Sequence, residues 1–312
     1  MSILDSMNAS SGSWQRYLWR TWTGRMLLAL GTLCAVLLFL GALPMFSAGP
    51  REQDLADGLG EARAPASLTV ASFNLAHGRG ASGHQVFTSR QRQVEHLQQT
   101  AELMQQHGVT LALLQEADGN SWWNRRKDLV LSLAQAFDWQ TGPRGYQVQG
   151  FGLDYGNAII SRYALRQARA RNWPGGWGAP PKGAVAAVLD FDGEPLTVVS
   201  IHLEPFQRWR RMRQARSLAE WLHGHSGHLL IAGDFNADWN RADDAVRLLA
   251  ESLALEPWPG AETSPPTFWT GRRLDWILVS SGLEISEPRI LADAPSDHAM
   301  VIAEIRRRAD DS

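Results

Sequence analysis

Short apolar runs separated by polar turn residues organise most of this chain. Eight of these runs predict strands, at 68–74, 109–114, 156–161, 185–191, 196–201, 229–232, 274–279 and 300–305. Apolar residues at helical spacing predict helices at 90–106, 129–137, 206–223 and 241–252. Asp192-Gly193, between the fourth and fifth of these strands, is typical of a hairpin turn. The pattern therefore predicts a folded domain that begins near Ser67.

A much longer apolar run precedes these elements. Residues 26–50 carry no charged side chain, and 26–43 is long enough, as a helix, to cross a bilayer. Three arginines, Arg16, Arg20 and Arg25, precede the run, whereas acidic residues are frequent after it. The positive-inside rule then places the N-terminus in the cytoplasm. We expect a cytoplasmic segment at 1–25, a transmembrane signal anchor at 26–46, a linker at 47–66 and a catalytic domain at 67–308.

A cleavable signal peptide is the alternative for this segment. The region before the apolar run is long, and Phe46 and Pro50 disfavour cleavage after Ala48 and Gly49. Both alternatives export the domain, to the periplasm if the source is Gram-negative. Export agrees with the absence of thiols after Cys34.

Composition restricts the classes of function that remain. The chain has 312 residues, 44% of them hydrophobic, which is typical of a globular protein. A formal net charge of -2 provides no overall basic field, so a protein that coats bulk nucleic acid is disfavoured. The single cysteine excludes an intramolecular disulfide framework and a cysteine metal site. Any site for an anion must therefore be local.

Polar side chains stand where several predicted strands end. Asp234 and Asn236 follow the run at 229–232, and their spacing in extended chain allows both to face one point. Asn74, Glu116 and His202 also stand at or just beyond strand ends. A single residue of this kind is usually a turn residue. Together they indicate an active site at one edge of a sheet.

Seven motifs then occur in one order: NLAHG at 74–78, LQE at 114–116, GNAIISR at 156–162, IHL at 201–203, GDFNAD at 233–238, RLDWILVS at 273–280 and SDHAMV at 296–301. Together they resemble the endonuclease/exonuclease/phosphatase superfamily over about residues 68–305. The resemblance implies an α/β (α+β) fold. Its architecture would be a four-layer sandwich of two packed mixed β-sheets with outer helices.

The resemblance also implies roles for individual residues. Glu116 would be the main Mg²⁺ ligand, with Asn74 beside it and Asp297 as the remaining acid on the metal side; Mn²⁺ can substitute. Asp234 would orient or deprotonate the attacking water, and Asn236 would bind a phosphoryl oxygen.

Two histidines complete the implied site. His202 and His298 would donate to phosphate oxygens, and Asp275 would fix the tautomer of one imidazole. The implied mechanism is in-line attack by water without a covalent intermediate.

Other candidates keep two interpretations. Tyr155 and Asn157 resemble substrate-binding groups, although Asn157 also suits a turn. Lys182 can meet phosphate or lie at the surface. Arg211 belongs to an arginine-rich helix that either faces solvent or binds substrate or a lipid headgroup. His77 either touches the site or lies in a solvated loop.

We therefore expect a membrane-anchored, exported, Mg²⁺-dependent phosphodiesterase. The anchor, the basic helix and an exposed loop carrying Trp173 and Trp177 favour a lipid or small-ester substrate. One alternative is a metal-dependent nuclease that acts on DNA, and another is a catalytically idle, membrane-tethered binding module. The net acidic domain disfavours nucleic acid as the partner. Nothing in the sequence indicates the oligomeric state.

Overall fold

The computed structural model describes residues 24–34, 51–139, 142–150, 152–175, 180–241, 244–258, 260, 263 and 265–308. Two compact units divide the chain, Met1–Ala48 and Gly49–Ser312. In the first unit, residues 24–34 form an exposed helix. No helix among the described residues is long and apolar enough to cross a membrane. Residues 35–46 of the expected transmembrane segment lie outside the described residues, so the anchor stays a prediction.

The second unit contains thirteen strands and four α-helices among its described residues. The strands are β1 Arg51–Asp54, β2 Ser67–Asn74, β3 Leu111–Gln115, β4 Arg144–Gly150, β5 Leu153–Ser161, β6 Arg166–Trp173, β7 Lys182–Phe191, β8 Glu194–His202, β9 His228–Asp234, β10 Leu255–Glu256, β11 Asp275–Ser280, β12 Leu283–Leu291 and β13 Met300–Arg307. The helices are α1 Arg90–Gln106, α2 Leu129–Ala136, α3 Arg208–Leu222 and α4 Ala245–Leu253.

The strands form two mixed sheets. The first has the order β1-β6-β7-β8-β9-β11-β10, and the second has the order β12-β13-β2-β3-β5-β4. One pair in each sheet is parallel, β8 with β9 and β2 with β3, and the other pairs are antiparallel. This confirms the predicted pair of packed mixed sheets.

Alternating side chains on the central strands produce the layers. Val70 and Leu111 belong to the core that also contains residues of the first sheet, α3 and α4. Phe73 and Leu114 lie on the opposite faces of the same two strands and pack with residues of α1 and α2. Because successive strand residues face opposite sides, each of these strands is buried on both faces. Helices, sheet, sheet and helices follow in that order.

The predicted hairpin is present between β7 and β8. Phe191 pairs with Glu194 across the turn. Asp192 and Gly193 have φ angles of 52° and 89°, which is the left-handed pair that a type I′ turn requires. The Gly193 amide donates to the Asp190 carboxylate over 2.7 Å.

Strand register brings the polar strand ends together. Asn74 pairs with Gln115, so Glu116, the residue directly after β3, lies beside it. On the other sheet, His202 pairs with Asp234, and Asp234 pairs with Asp275. The predicted site residues therefore lie in two short rows at one end of the two sheets.

Two expectations need correction. Residues 47–66 were expected to be a linker, but residues 51–54 form β1, which pairs with β6, and Gly58 bridges to Leu165. Trp173 was expected in an exposed loop, but it ends β6, is buried and donates from Nε1 to Ser217 Oγ over 3.1 Å. Trp177 lies outside the described residues.

Gly233 holds β8 and β9 close together immediately before Asp234. Its φ is 151°, and an added Cβ would lie 2.0 Å from the Ile201 carbonyl oxygen. We expect Gly233→Ala to lower the free energy of unfolding by about 3 kcal/mol, because backbone in the tight strand pair must move. Gly83→Ala is the control, since nothing lies within 4 Å of its added Cβ. Urea unfolding measures both, and equal stability of the two variants would contradict this account.

Candidate active site

The Asp234 carboxylate is the centre of a buried polar cluster at the strand ends. Its Oδ2 atom accepts from Asn74 Nδ2 over 3.2 Å and lies 3.3 Å from His202 Nε2 and 3.7 Å from His298 Nε2. Its Oδ1 atom accepts from the Asn236 amide over 2.9 Å. One carboxylate therefore faces both predicted imidazoles.

His298 lies between two carboxylates. Its Nδ1 atom is 2.9 Å from Asp275 Oδ2, and its Nε2 atom faces Asp234. Burial lowers the pKa of His298, but the negative charges of Asp275 and Asp234 outweigh burial and raise it to about 10. Burial, with the charge of Asp275, raises the pKa of Asp234 to about 7 against the lowering effect of His298. The arrangement keeps a proton between an imidazole and a carboxylate near neutral pH.

His202 is paired with a buried lysine. Lys182 Nζ lies 2.8 Å from His202 Nε2 and 3.9 Å from Glu116 Oε1. Burial and the neighbouring ammonium lower the pKa of His202, so the neutral imidazole accepts a hydrogen bond from Lys182. The Lys182 side chain is only 6% exposed, so the surface interpretation of this residue is wrong.

Glu116 faces the open side of the cluster. Its side chain is 20% exposed, and its Oε2 atom lies 3.3 Å from His77 Nε2. Burial raises the pKa of Glu116, but the positive charges of His77 and Lys182 outweigh burial and hold it below the usual range. Glu116 is therefore ionised at neutral pH, as a metal ligand must be.

His77 lies at the site, so the solvated-loop interpretation is wrong. Its Nδ1 atom is 2.7 Å from Asp118 Oδ1. Asp118 is fully buried and also accepts from Trp123 Nε1 over 2.6 Å. Sequence reasoning missed Asp118, although its position two residues after Glu116 was a usable signal.

Several residues at the site have left-handed backbone. Ala76, His77, Glu116 and Asn236 have φ angles between 47° and 54°, in the left-handed region that non-glycine residues seldom adopt. Each such residue costs on the order of 1–3 kcal/mol. The surrounding fold therefore holds these residues in orientations they would not adopt alone.

The structure places Tyr155 near the cluster and Asn157 between the sheets. The Tyr155 ring centroid is 5.3 Å from that of His77. Asn157 donates to the Gly183 and Ser200 carbonyls over 2.9 and 3.2 Å. Both N–H donors of Asn157 therefore link the two sheets, and its role in substrate binding stays a prediction.

Arg211 and Asn236 also have internal partners. Arg211 is buried and donates to Asp244 Oδ1 over 3.3 Å and to the Glu204 carbonyl over 2.9 Å. These contacts anchor α3 to the N-terminus of α4. The Asn236 side chain donates to the Leu203 carbonyl over 3.0 Å. The backbone amide of Asn236 nevertheless donates to the Asp234 carboxylate and so positions it.

Asp297 stands at the rim of an adjoining groove. Arg79 donates to its carboxylate over 2.5 Å. The Ser296 hydroxyl donates to the Asn74 carbonyl over 2.7 Å and ties this loop to the end of β2. The groove has a volume of about 800 Å³ and is lined by His298 and Trp269 among others. It gives the His298 side of the cluster a path to solvent.

Comparisons with known proteins identify the family of this chain. The profile of the Endonuclease/Exonuclease/phosphatase family matches residues 71–298. The chain is 30% identical over 129 residues to the UPF0294 protein YE0917 of Yersinia enterocolitica, covering 40% of this chain and 48% of that relative. The chain therefore spans about half the length of this curated relative.

Solved structures share the fold at low identity. A family protein from Bacteroides vulgatus has a TM-score of 0.61 at 16% identity, covering 78% of this chain and 99% of that one. The mannosyl-6-phosphatase Bt3783 of Bacteroides thetaiotaomicron has a TM-score of 0.54 at 20% identity, covering 76% and 99%. The human Nocturnin catalytic domain has a TM-score of 0.53 at 17% identity, covering 83% and 98%. The chain therefore belongs to the endonuclease/exonuclease/phosphatase family, as its motifs predict, and the expectation of a phosphate-ester hydrolase is confirmed at the level of that family.

Proposed function

We propose that this chain is a Mg²⁺-dependent phosphodiesterase that uses water as its nucleophile. The observation that carries this proposal is the Asp234 carboxylate, which lies within 3.7 Å of two imidazoles at the closed end of the site. The residues implied for metal binding and acid–base chemistry are all present in the sequence, which favours an enzyme over an idle binding module.

Members of the family generally use a divalent metal ion, and the oxygen donors here fit one. Glu116 is ionised and partly exposed, and Asn74 lies beside it on the neighbouring strand. A second cluster, Asp234, Asp275 and His298, has ligand atoms within 4.8 Å of one another. There, however, all three residues are buried, whereas Glu116 is partly exposed to solvent. Glu116 and Asn74 would therefore hold the ion, with Asp297 on the same side.

The bound ion would neutralise charge on the phosphate and help to orient water. Asp234 would accept a proton from the attacking water, since its raised pKa of about 7 makes it a competent base near neutral pH. His298, protonated and fixed by Asp275, would donate to a phosphate oxygen as negative charge develops. Lys182, which lies beside His202, would supply a second positive charge to the phosphate, because the imidazole of His202 is neutral.

A bilayer is the favoured location of the substrate. Several large aromatic side chains are exposed: Phe87, Trp122, Phe206, Trp209 and Trp269. Two of them, Trp122 and Trp269, lie one ring away from histidines of the site. The Trp122 ring lies at a tilt beside Trp123, which contacts His77, and Trp269 adjoins Phe268, which contacts His298. Aromatic side chains of this kind suit a membrane interface.

The exposed part of α3 adds positive charge beside the exposed Trp209. Arg208 and Arg213 are exposed, and the Arg213 guanidinium lies 5.8 Å from the Trp209 ring centroid. Together with the predicted N-terminal anchor, this surface supports a lipid-headgroup phosphodiester as the substrate. The alternative activity is that of a nuclease, and the vesicle experiment described below distinguishes the two.

Glu116→Gln should abolish Mg²⁺-dependent hydrolysis of bis(p-nitrophenyl) phosphate, with a loss of about a thousandfold. The change removes charge at nearly constant volume. Glu251→Gln, at an exposed site on α4, is the matched control and should retain activity. Wild-type turnover and metal dependence in the folded Glu116 variant would refute the proposed metal site.

Asp275→Asn should lower the pKa of His298. NMR titration of the His298 imidazole in the metal-free protein measures this pKa. The wild-type pKa is raised above the unfolded value of 6.5 to about 10. His298 should therefore stabilise the fold fully below about pH 6.5 and lose this effect as pH rises through about 10. In the Asp275→Asn variant this stabilisation of the fold should be lost at lower pH, and kcat should fall about a hundredfold. The exposed control Asp293→Asn should leave the pKa of His298 unchanged. An unchanged pKa in Asp275→Asn would contradict the pairing of Asp275 with His298.

On vesicles of anionic phospholipid, the effect of the arginine charges and the effect of tryptophan insertion should differ in their dependence on salt. Arg208→Ala/Arg213→Ala should weaken vesicle hydrolysis at low salt by about thirtyfold, since each charge near the surface contributes about 1 kcal/mol within a Debye length. Trp209→Ala/Trp269→Ala should weaken it at every salt concentration. Neither pair should alter hydrolysis of the soluble ester. Equal losses on both substrates would contradict a membrane role, and plasmid cleavage without vesicle activity would favour the nuclease.

A reporter fused after Ser312 should show an extracytoplasmic location, and the protein should resist carbonate extraction from membranes. Cell fractionation and mass spectrometry of the N-terminus make the measurement. A soluble form that lacks its first ~48 residues would establish the cleaved signal peptide instead.

A further inference from the structure

We infer that His77 is itself a ligand of the metal ion, bound through Nε2 beside Glu116 and oriented by Asp118. The inference rests on the proposed function, because it adds a nitrogen donor to the oxygen donors of that same site. Neither the motifs nor the family comparison assigns a role to His77 or Asp118.

The imidazole of His77 is held at Nδ1 by Asp118 and directs Nε2 toward Glu116, 3.3 Å away. Nδ1 lies 2.7 Å from Asp118 Oδ1, so Nδ1 carries the hydrogen that the carboxylate accepts. Asp118 cannot readily turn away, because Trp123 and Asn124 donate to its other oxygen over 2.6 and 3.3 Å. Nε2 is left to face Glu116. A carboxylate that orients a histidine in this way is the usual support for a metal-ligating imidazole.

The spacing of the two ligand atoms fits one ion. His77 Nε2 and Glu116 Oε2 are 3.3 Å apart. Two atoms that each lie about 2.1 Å from an ion, at a right angle, are about 3.0 Å apart. The other oxygen of Glu116 lies 3.9 Å from Lys182 Nζ, so the lysine does not occupy the space between His77 and Glu116.

The ring of His77 is also fixed in direction. Its centroid lies 5.1 Å from the Trp123 ring and 5.3 Å from the Tyr155 ring, which meets it edge-on. His77 and Glu116 both have left-handed backbone, with φ angles of 54° and 47°. Their side chains are 15% and 20% exposed, whereas that of Asp234 is 2% exposed. The pair therefore faces the open side of the cluster, where an ion can enter.

A nitrogen ligand changes which metals the site prefers. Carboxylate and amide oxygens alone suit Mg²⁺, whereas an imidazole favours transition-metal ions. The site should therefore bind Mn²⁺ more tightly than Mg²⁺.

The test uses the metal-free full chain with Mn²⁺ alone, so that no turnover is involved. Pulsed EPR detects a nitrogen bound directly to Mn²⁺, and calorimetry gives the Kd. Wild type should show a directly bound histidine nitrogen, which changes on ¹⁵N-histidine labelling. His77→Gln should lose this signal and raise the Kd at least tenfold, and Asp118→Asn should raise the Kd several-fold.

Two controls and one rescue isolate His77. His84→Gln, an exposed residue of the same loop, and His298→Gln, which replaces the other candidate nitrogen, should both keep the nitrogen signal. His77→Asp should restore Mn²⁺ binding through oxygen, without the nitrogen signal and with a smaller preference for Mn²⁺ over Mg²⁺. This rescue also shows that the position tolerates substitution.

The outcomes separate the inference from the proposed function. If the nitrogen signal survives in His77→Gln, or is absent from a wild type whose Mn²⁺ binding depends on Glu116, His77 is not a ligand and only the inference fails. If Glu116→Gln binds Mn²⁺ as well as wild type, the proposed metal site itself fails.

Discussion

A buried carboxylate that cannot be left unpaired determines the arrangement of this site. Asp234 is almost completely removed from solvent, and an isolated charge there would cost several kcal/mol. Hydrogen bonds from Asn74 and the Asn236 amide, together with the protonated imidazole of His298, offset this cost. The same burial raises the pKa of Asp234 into the range useful for a base. Stability and chemistry therefore depend on the same contacts.

Sheet topology brings these partners together. Each sheet contains one parallel pair, and the carboxyl ends of the two pairs meet, so Asn74 on one sheet reaches Asp234 on the other. Asn157 fixes the approach of the sheets by donating to two carbonyls across the gap. The distances at the site thus follow from backbone pairing and buried amides, as catalytic geometry on rigid elements requires.

The central strands and the strand-end residues could be predicted because apolar runs and their polar stops are local signals. β6 was missed because its sequence, RQARARNW, is rich in arginine. Those side chains find partners far along the chain, as Arg171 does with Glu52. Likewise, Arg211 stands in a run of arginines that indicates a solvated face, yet Asp244 makes it a buried anchor. The spacing of Asp118 from Glu116 is a local signal, but its pairing with His77 joins residues 41 positions apart, which no local pattern contains.

The central claim is that a metal ion held by Glu116 and Asn74 acts together with His298 and Lys182 on one phosphate beside Asp234. A crystal structure with Mn²⁺ and inorganic phosphate, with the metal located by its anomalous signal, tests this most directly. We expect one metal peak bound by Glu116 and Asn74, and phosphate in contact with His298 and Lys182. A metal peak between Asp234, Asp275 and His298, or phosphate bound away from both cations, would contradict the account.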